Sequence, residues 1–308
     1  MKKKIVLIAG GYGFVGRHVA MAFKRIGFKV VAIGHGNFEP GQCNKHGIDH
    51  WVSADITLDN LVALKVLPSV IVNCSGSGSV GFSFKNPLED FDKTVNSTMA
   101  LLEFIRQKNP TAKFIQLSSP AVGGDHEDSP IKITAPLNPI SPYGFHKKMA
   151  EESCILYNKM FGLDIVIIRF FSLYGTGLRK QLFWDAYGKL KSDPSSVEFF
   201  GTGQETRDWL YIEDAVDLVL KTAQLKKSTI RIFNGASGKR CSIQETLECF
   251  LDVIGSKAKL KFSGHVPSGD PKFYWADISE SLKLGWSPSI TLKQGIKKYV
   301  TWVSREHR

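Results

Sequence analysis

Long apolar runs are missing from this chain of 308 residues. The start that most resembles an export signal is Ile5-Val6-Leu7-Ile8 behind Lys2, Lys3 and Lys4. Gly10 and Gly11 cut it far short of the ~20 residues of a spanning helix, and short of a signal core as well. The sequence thus predicts a cytoplasmic protein with no membrane partner. Cysteine is also scarce: Cys43, Cys74, Cys154, Cys241 and Cys249 are an odd, scattered set without C-x-x-C spacing. That excludes a disulfide framework and a zinc site, and no metal is expected. Acidic residues fall short of basic ones, 29 against 40, for a formal charge of +11. The cations are dispersed and not interleaved with aromatics, which argues against nucleic acid and for a small polyanionic ligand. Low-complexity tracts and internal repeats are absent too, so the chain is long enough to bury the core of one large or two intimate domains.

What is present has a rhythm. Short β-branched apolar runs at 4–9, 29–33, 50–53, 70–74, 113–118 and 164–170 read as strands buried on both faces. Helical spacing fills 16–26, 58–64, 92–108 and 143–161 between them. Strands alternating with helices imply right-handed crossovers and an α/β fold, a doubly wound, Rossmann-like parallel sheet. After about residue 175 the pattern loosens into longer polar loops with helices near 214–224, 243–254 and 292–304. Ser242 and Glu245 form a capping box for the second of these. The expected organisation is a dinucleotide-binding domain over 1–175 and a smaller, partly interwoven α/β substrate domain over 176–308, meeting at a cleft.

Between the first strand and the first helix, LIAGGYGFVGRHV places Gly10, Gly13 and Gly16 in a G-x-x-G-x-x-G pattern. The first glycine makes a tight turn, the second lets backbone approach a pyrophosphate, and the third lets the helix pack on the sheet. In this strand–turn–helix context the pattern predicts a dinucleotide. The second strand ends in VVAIGHGN, with Gly34 where folds that prefer NAD carry a carboxylate for the ribose 2′-hydroxyl, followed by His35. Nothing there repels a 2′-phosphate, so NADP is the preferred expectation and NAD the other. No arginine stands close by in sequence to favour the phosphate.

SPYGFHKKMAEE sets Tyr143 and Lys147 four apart on a predicted helix, hence on one face. A lysine one turn from a tyrosine stabilises the phenolate and lets the phenol act as acid and base. Alone the pattern is common on amphipathic helices. Ser119, at the end of the fifth predicted strand, adds a hydroxyl at the sheet edge where such folds hold ligands.

The chain resembles an extended short-chain dehydrogenase/reductase of the nucleotide-sugar epimerase, dehydratase and reductase group. The likeness runs through GGYGFVG, Asp55-Ile56, NPLEDFDKTVNSTMALLEF with Asn96, Ser119 and YGFHK. It continues through RFFSLYGTG, FFGTGQETRDWLYIEDA, FNGASG and GDPKFYWADIS. The resemblance implies that Gly10, Gly13, Phe14, Val15 and Gly16 line the pyrophosphate, with His35, Asp55 and Ile56 toward the adenosine. It implies Ser119, Tyr143 and Lys147 as catalytic residues, Lys147 also holding the nicotinamide ribose. Ser172, Arg207 and Asp270 fall to a nucleotide-diphosphate sugar, with Arg207 gripping the diphosphate unless it pairs with Glu205 or Asp208. The helices over 92–108 and 143–161 imply a homodimer through a four-helix interface, although core packing explains their apolar faces nearly as well.

Departures narrow the chemistry. The 4,6-dehydratases of this group carry acidic residues after the catalytic Ser/Thr. Pro120 and Ala121 stand there instead, and neither moves a proton. A frequent tyrosine is replaced by Gly123, followed by Gly124, which implies either a wider pocket or a refolded loop. Ser172 stands where many relatives have asparagine, and HVPSGDP lacks an arginine often found there. Hydride transfer at a sugar carbon survives. The leading expectation is a 4-ketoreductase taking hydride from NADPH, because Gly34 removes the NAD-selecting carboxylate. The alternative is a 4-epimerase with no net redox change. A sugar-acid decarboxylase has no specific support, and a non-catalytic NADP-sensing protein is disfavoured by the intact Ser119, Tyr143 and Lys147.

Overall fold

A computed structural model describes residues 3–227, 230–266, 269 and 271–306. The fold is built on a seven-stranded sheet. Its strands in chain order are β1 (Ile5–Ala9), β2 (Lys29–Gly34), β3 (His50–Ser53), β4 (Val70–Asn73), β5 (Lys113–Ser118), β6 (Asp164–Phe170) and β7 (Arg231–Gly235). In space they run β7-β6-β5-β4-β1-β2-β3, and β1 through β6 pair in parallel. All six residues of β5 and all seven of β6 are buried, as continuous apolar runs demand when helices cover both faces. This is the doubly wound α/β architecture expected from the strand–helix alternation. The strand order reverses between β1 and β4, and ligands of such sheets bind beyond the strand ends at that switch.

Two compact units divide the chain. The first comprises residues 1–124, 136–170 and 216–233, and the second 125–135, 171–215 and 234–308. In the first, the core joins Leu7, Ile33 and Ile71 of the sheet to Leu101, Phe104 and Ile105 of the helix Ser97–Lys108, and to Tyr157 of the helix Pro142–Phe161. In the second, three two-stranded pairings surround an aromatic cluster. Strand Ser172–Tyr174 pairs with Trp209–Tyr211, Thr206–Arg207 with Cys241–Ser242, and Ser196–Phe199 with Lys259–Phe262. Phe183 lies 5.0 Å from Trp209, 5.1 Å from Tyr174 and 5.7 Å from Phe250 between ring centroids.

The capping box at Ser242 and Glu245 forms as expected, with both reciprocal bonds made at 3.1 and 2.7 Å. Two differences from the sequence expectation have physical causes. The helix expected from residue 92 begins at Pro87 and passes through a π-turn, Asp92–Asn96, before Ser97–Lys108. The extra residue of the π-turn shifts the helical phase, which hides the first turn from a 3.6-residue pattern. The helix Gln181–Ser192 lies in a stretch read as polar loop. Its N-cap, Lys180, offers no side-chain cap, so the usual start signal is absent.

Candidate active site

The carboxyl ends of β1, β4 and β5 are adjacent in the sheet, and each continues directly into site residues. After β1, Gly10 adopts φ +77°, and a Cβ there would lie 2.7 Å from the Cys74 carbonyl oxygen and 2.9 Å from the Ser75 nitrogen. A Cβ on Gly16 would meet the Gly10 carbonyl oxygen at 2.3 Å. The turn after β1 is therefore pressed on the segment after β4, at distances only glycine permits. Gly13 is the N-cap of the helix Phe14–Arg25. It supplies no capping side chain, and the first turn, which includes Phe14 and Val15, carries no acidic residue. Such a helix start presents N–H donors and a positive dipole end to an anion.

At the end of β2, a Cβ on Gly34 would sit 3.3 Å from Gly10 Cα, so strand and turn touch here as well. His35 and Asp55 meet at 2.9 Å on the surface. Ile56 is partly buried against the sheet core. The structure adds neighbours that the sequence did not suggest. Tyr12, Phe38 and Trp51 form an aromatic cluster, with the Arg17 guanidinium 5.5 Å above the Tyr12 ring. His46 packs on Phe38, and its pKa is lowered by burial and then by the positive charges of Arg17, His18 and Lys45. The side of the turn near Gly34 is thus cationic.

After β5, Ser119 caps a short 3-10 turn, Pro120–Val122, accepting from the Ala121 N–H at 3.2 Å. Its hydroxyl is near enough to the Tyr143 phenol to favour the phenolate. Gly144 makes that meeting possible: a Cβ there would lie 2.4 Å from the Ala121 carbonyl oxygen, so the helix Pro142–Phe161 starts flush against the turn. Ser141 caps this helix through the Gly144 N–H, and Ser83 accepts from the Tyr143 N–H at 3.0 Å. Lys147, one turn on, is buried with its Nζ 5.9 Å from the Tyr143 ring centroid, 3.2 Å from the Leu117 carbonyl oxygen and 3.4 Å from that of Ser75. Burial pushes the Tyr143 phenol up to about 12, with the Ser119 hydroxyl pulling it back and the negative charge of Asp90 adding to the rise. Burial lowers the Lys147 ammonium to about 8 against the opposing pull of Asp90, Cys74 and Glu151. Ser119, Tyr143 and Lys147 are therefore gathered in one place within the first unit, beside the β1 turn.

Three further residues join this site without having been assigned a role in it by their motifs. Thr94 lies on the π-turn, and its Oγ1 is buried without a hydrogen-bond partner, 3.2 Å from where a Cβ on Gly76 would stand. Lys147 Nζ is also 3.2 Å from that point. Asp90, fully buried, holds His146 Nδ1 at 2.6 Å and accepts from the Ser77 hydroxyl. The signal for this pair was the histidine inside YGFHK, which faces a carboxylate two turns before the π-turn ends.

The loop after Ser119 keeps its form through backbone contacts. Gly123 accepts from the Asn138 N–H at 3.3 Å, and Gly124, at φ +73°, lies against the Asn138 carbonyl oxygen. In the second unit, Ser172 donates its N–H to the Asp208 carbonyl at 3.0 Å. Arg207 Nη1 donates to the carbonyls of Thr206 and Pro271 at 2.7 and 2.9 Å, and its guanidinium lies 5.9 Å from the Tyr274 ring centroid. The carboxylates of Glu205 and Asp208 are engaged by other donors. Glu205 accepts from Thr202 and Gly203, and Asp208 from Ser237, Gly238 and Ala276. Asp270 lies outside the described residues.

A Rossmann-type sheet with a glycine turn at the switch point and a Ser/Tyr/Lys cluster at the neighbouring strand end defines an extended short-chain dehydrogenase/reductase. The chain belongs to the NAD dependent epimerase/dehydratase family, whose model matches residues 6–234. A curated relative, the UDP-glucuronate 4-epimerase of Thermodesulfobacterium geofontis, is 29% identical over 316 residues, covering 96% of this chain and 95% of its own. Among solved structures, the UDP-glucuronic acid 4-epimerase of Bacillus cereus with UDP-glucuronic acid and NAD is 27% identical. It has a TM-score of 0.86 and covers 98% of this chain and 99% of its own. A tyrosine-to-phenylalanine variant of that enzyme, with a fluorinated UDP-glucuronic acid and NAD, gives a TM-score of 0.88 at 26% identity, with 98% and 99% covered. No described helix is long and apolar enough to cross a membrane.

Proposed function

We propose that this protein is a 4-epimerase of UDP-linked sugars, with UDP-glucuronic acid the first substrate to test, and that it works with a dinucleotide held at the β1 turn. The observation that carries the reading is the Ser119–Tyr143–Lys147 cluster beside that turn, in a chain whose relatives include UDP-glucuronate 4-epimerases at 27–29% identity. The leading expectation from sequence, a 4-ketoreductase, rested on the missing carboxylate at Gly34. That position bears on the adenosine end of the cofactor and not on the direction of hydride transfer, so it does not decide between the reactions.

The residues present fit a dinucleotide. The helix start at Gly13 is uncapped, as an anion site requires, and the orphaned Thr94 Oγ1 beside Lys147 is a polar atom awaiting a hydroxyl-bearing partner. A dinucleotide held at the turn of Gly10, Gly13 and Gly16 would supply the hydride acceptor and donor for chemistry at the sugar C4. Tyr143 takes the C4 hydroxyl proton as the alcohol is oxidised and gives it back when the ketone is reduced. Ser119, beside Tyr143, holds the same oxygen and polarises the ketone. Lys147, fixed by the Leu117 and Ser75 carbonyls, brings a positive charge one turn from the phenol and lowers the cost of the phenolate. Arg207 is the residue of the second unit we assign to the diphosphate, Ser172 and Asp270 assisting it. Gly34 and the surrounding cations admit a 2′-phosphate, so NAD and NADP are expected to bind within about tenfold of each other.

We further assign a homodimer to the helix Pro142–Phe161, where Phe145, Met149, Leu156 and Met160 are 44–64% exposed on one stripe. Light scattering on Leu156→Glu is expected to show a monomer where the parent is a dimer.

The test of the reaction follows UDP-glucuronic acid, UDP-glucose and 4-keto sugar nucleotides by proton NMR, with NAD(P)H absorbance read in parallel. Formation of the C4 epimer without net cofactor change supports the reading. Stoichiometric NADPH oxidation on a 4-keto substrate, with no epimer from any hydroxylated one, overturns it in favour of the reductase.

A further inference from the structure

Lys147 is buried among charges of both signs, and the carboxylates near it are not equivalent. Asp90, on the helix Pro87–Phe91, and Glu151, on the next turn of its own helix, act on it through their charge without a direct ion pair, while Cys74 follows β4 and Tyr143 lies one turn before it. Glu151 is already answered by a full cation. The Arg169 guanidinium of β6 grips both its oxygens at 2.9 and 2.7 Å, and Ser118 donates at 2.6 Å. Asp90 has no such guanidinium. Its hydrogen-bond partners are one ring nitrogen and one hydroxyl, His146 Nδ1 at 2.6 Å and Ser77 Oγ, although its side chain is wholly buried. To serve a carboxylate, Nδ1 must carry its proton, so both partners act as donors and fix the rotamer.

The pair also clamps the segment beside the cofactor turn. Ser75 is held by Asn73, whose Oδ1 accepts from its N–H at 3.0 Å, and by Lys147 at its carbonyl. Ser77, two residues on, is held by Asp90. Gly76 between them has φ +117°, and Lys147 Nζ and Thr94 Oγ1 approach it from two sides. Asp90 thus ties together the π-turn helix, the segment after β4 and, through His146, the helix that carries Tyr143 and Lys147.

We propose that Asp90, oriented by His146 and Ser77, is a positioning residue that keeps Lys147 charged and seated under the Ser75–Ser77 segment. The proposal rests on the reading of Lys147 as part of the acid/base site. Without Asp90 the buried lysine keeps the already neutralised Glu151 and the Leu117 and Ser75 carbonyls as neighbours that favour its ammonium, and it loses its proton nearer neutrality.

The experiment titrates Lys147 in ε-carbon-labelled holoenzyme by carbon-13 NMR, assigned by its loss in Lys147→Arg, alongside the pH profile of epimerisation. In Asp90→Asn the titration and the alkaline limb of kcat are both expected to move down by about one pH unit. His146→Leu, which leaves the carboxylate without its orienting ring donor, is expected to move them the same way, and His146→Gln, which still offers a donor, to restore them. Titrations in folded Asp90→Asn and His146→Leu that superimpose on the parent overturn the proposal, whatever their effect on thermal stability. If the parent epimerises nothing, the reaction assignment fails while the NMR titration still decides the role of Asp90.

Discussion

Gly10→Ala is the sharpest perturbation of the cofactor turn. An alanine must adopt φ +77°, which costs about 1–2 kcal/mol for an L side chain. Its methyl would stand 2.7 Å from the Cys74 oxygen, where ordinary contact begins at 3.4 Å, so turn and segment must part by about 0.7 Å. Both walls are backbone at strand ends, and overpacking of this kind costs about 1–3 kcal/mol. The sum, about 2–5 kcal/mol, is expected as a fall in unfolding free energy in urea with an unchanged m-value. Because the same movement carries the Gly13 helix start away from the ligand, NAD(H) affinity by fluorescence titration is expected to fall by at least about tenfold, worth 1.4 kcal/mol. Gly188→Ala is the matched control. It lies inside the helix Gln181–Ser192 with nothing within 4 Å of the new methyl, so it should gain about 0.5–1 kcal/mol. A Gly10→Ala protein as stable as its parent and equally avid for cofactor would refute the argument from close approach.

Tyr143→Phe removes the only proton-transferring atom assigned at C4. Turnover should fall by about 10²–10⁴-fold while cofactor titrates normally, and retained turnover would sink the role. Lys147, lowered to about 8 from 10.5, makes apo stability rise with pH across that window. There the unfolded chain still holds a proton the native state has lost, a slope of at most about 1.4 kcal/mol per pH unit. Urea titrations from pH 8 to 10.5 should show this rise in the parent and lose it in Lys147→Met. Glu151→Gln leaves the Arg169 guanidinium buried without its charge partner and is expected to cost about 3–5 kcal/mol in urea unfolding, far more than any exposed carboxylate of the same helix.

The glycine turn, the serine after β5 and the tyrosine and lysine one turn apart were legible because each is a local pattern at a strand or helix boundary. A parallel sheet then carries those boundaries to one edge. Asp90 and Thr94 were not legible, since the π-turn displaces them from the helical phase that the flanking residues announce. The aromatic and cationic surroundings of Gly34 come from Tyr12, Arg17, Phe38, His46 and Trp51, scattered over four elements and loops, and no spacing rule joins them. The choice between reduction and epimerisation is not legible at Gly34 for a related reason, since a residue at the end of β2 bears on the adenosine end of the cofactor and not on chemistry at its far end.

On the proposed reading, the turn after β5 accounts for a site confined to one proton at one carbon. Ala121 offers its carbonyl to the close approach of Gly144, Pro120 offers its own to the Gly123 N–H, and Gly123 and Gly124 are both fastened to Asn138. With the Val122 N–H donated to the Ser119 carbonyl at 3.3 Å, every residue from Pro120 to Gly124 is engaged in backbone contacts beside Tyr143 and Ser119, and none carries a group able to exchange a proton. Loss of water from a sugar needs a second acid and base at the neighbouring carbon, and this turn cannot provide them. Oxidation at C4 followed by return of the hydride needs only the tyrosine, its serine and a charged lysine, which are the groups the turn and the helix bring together.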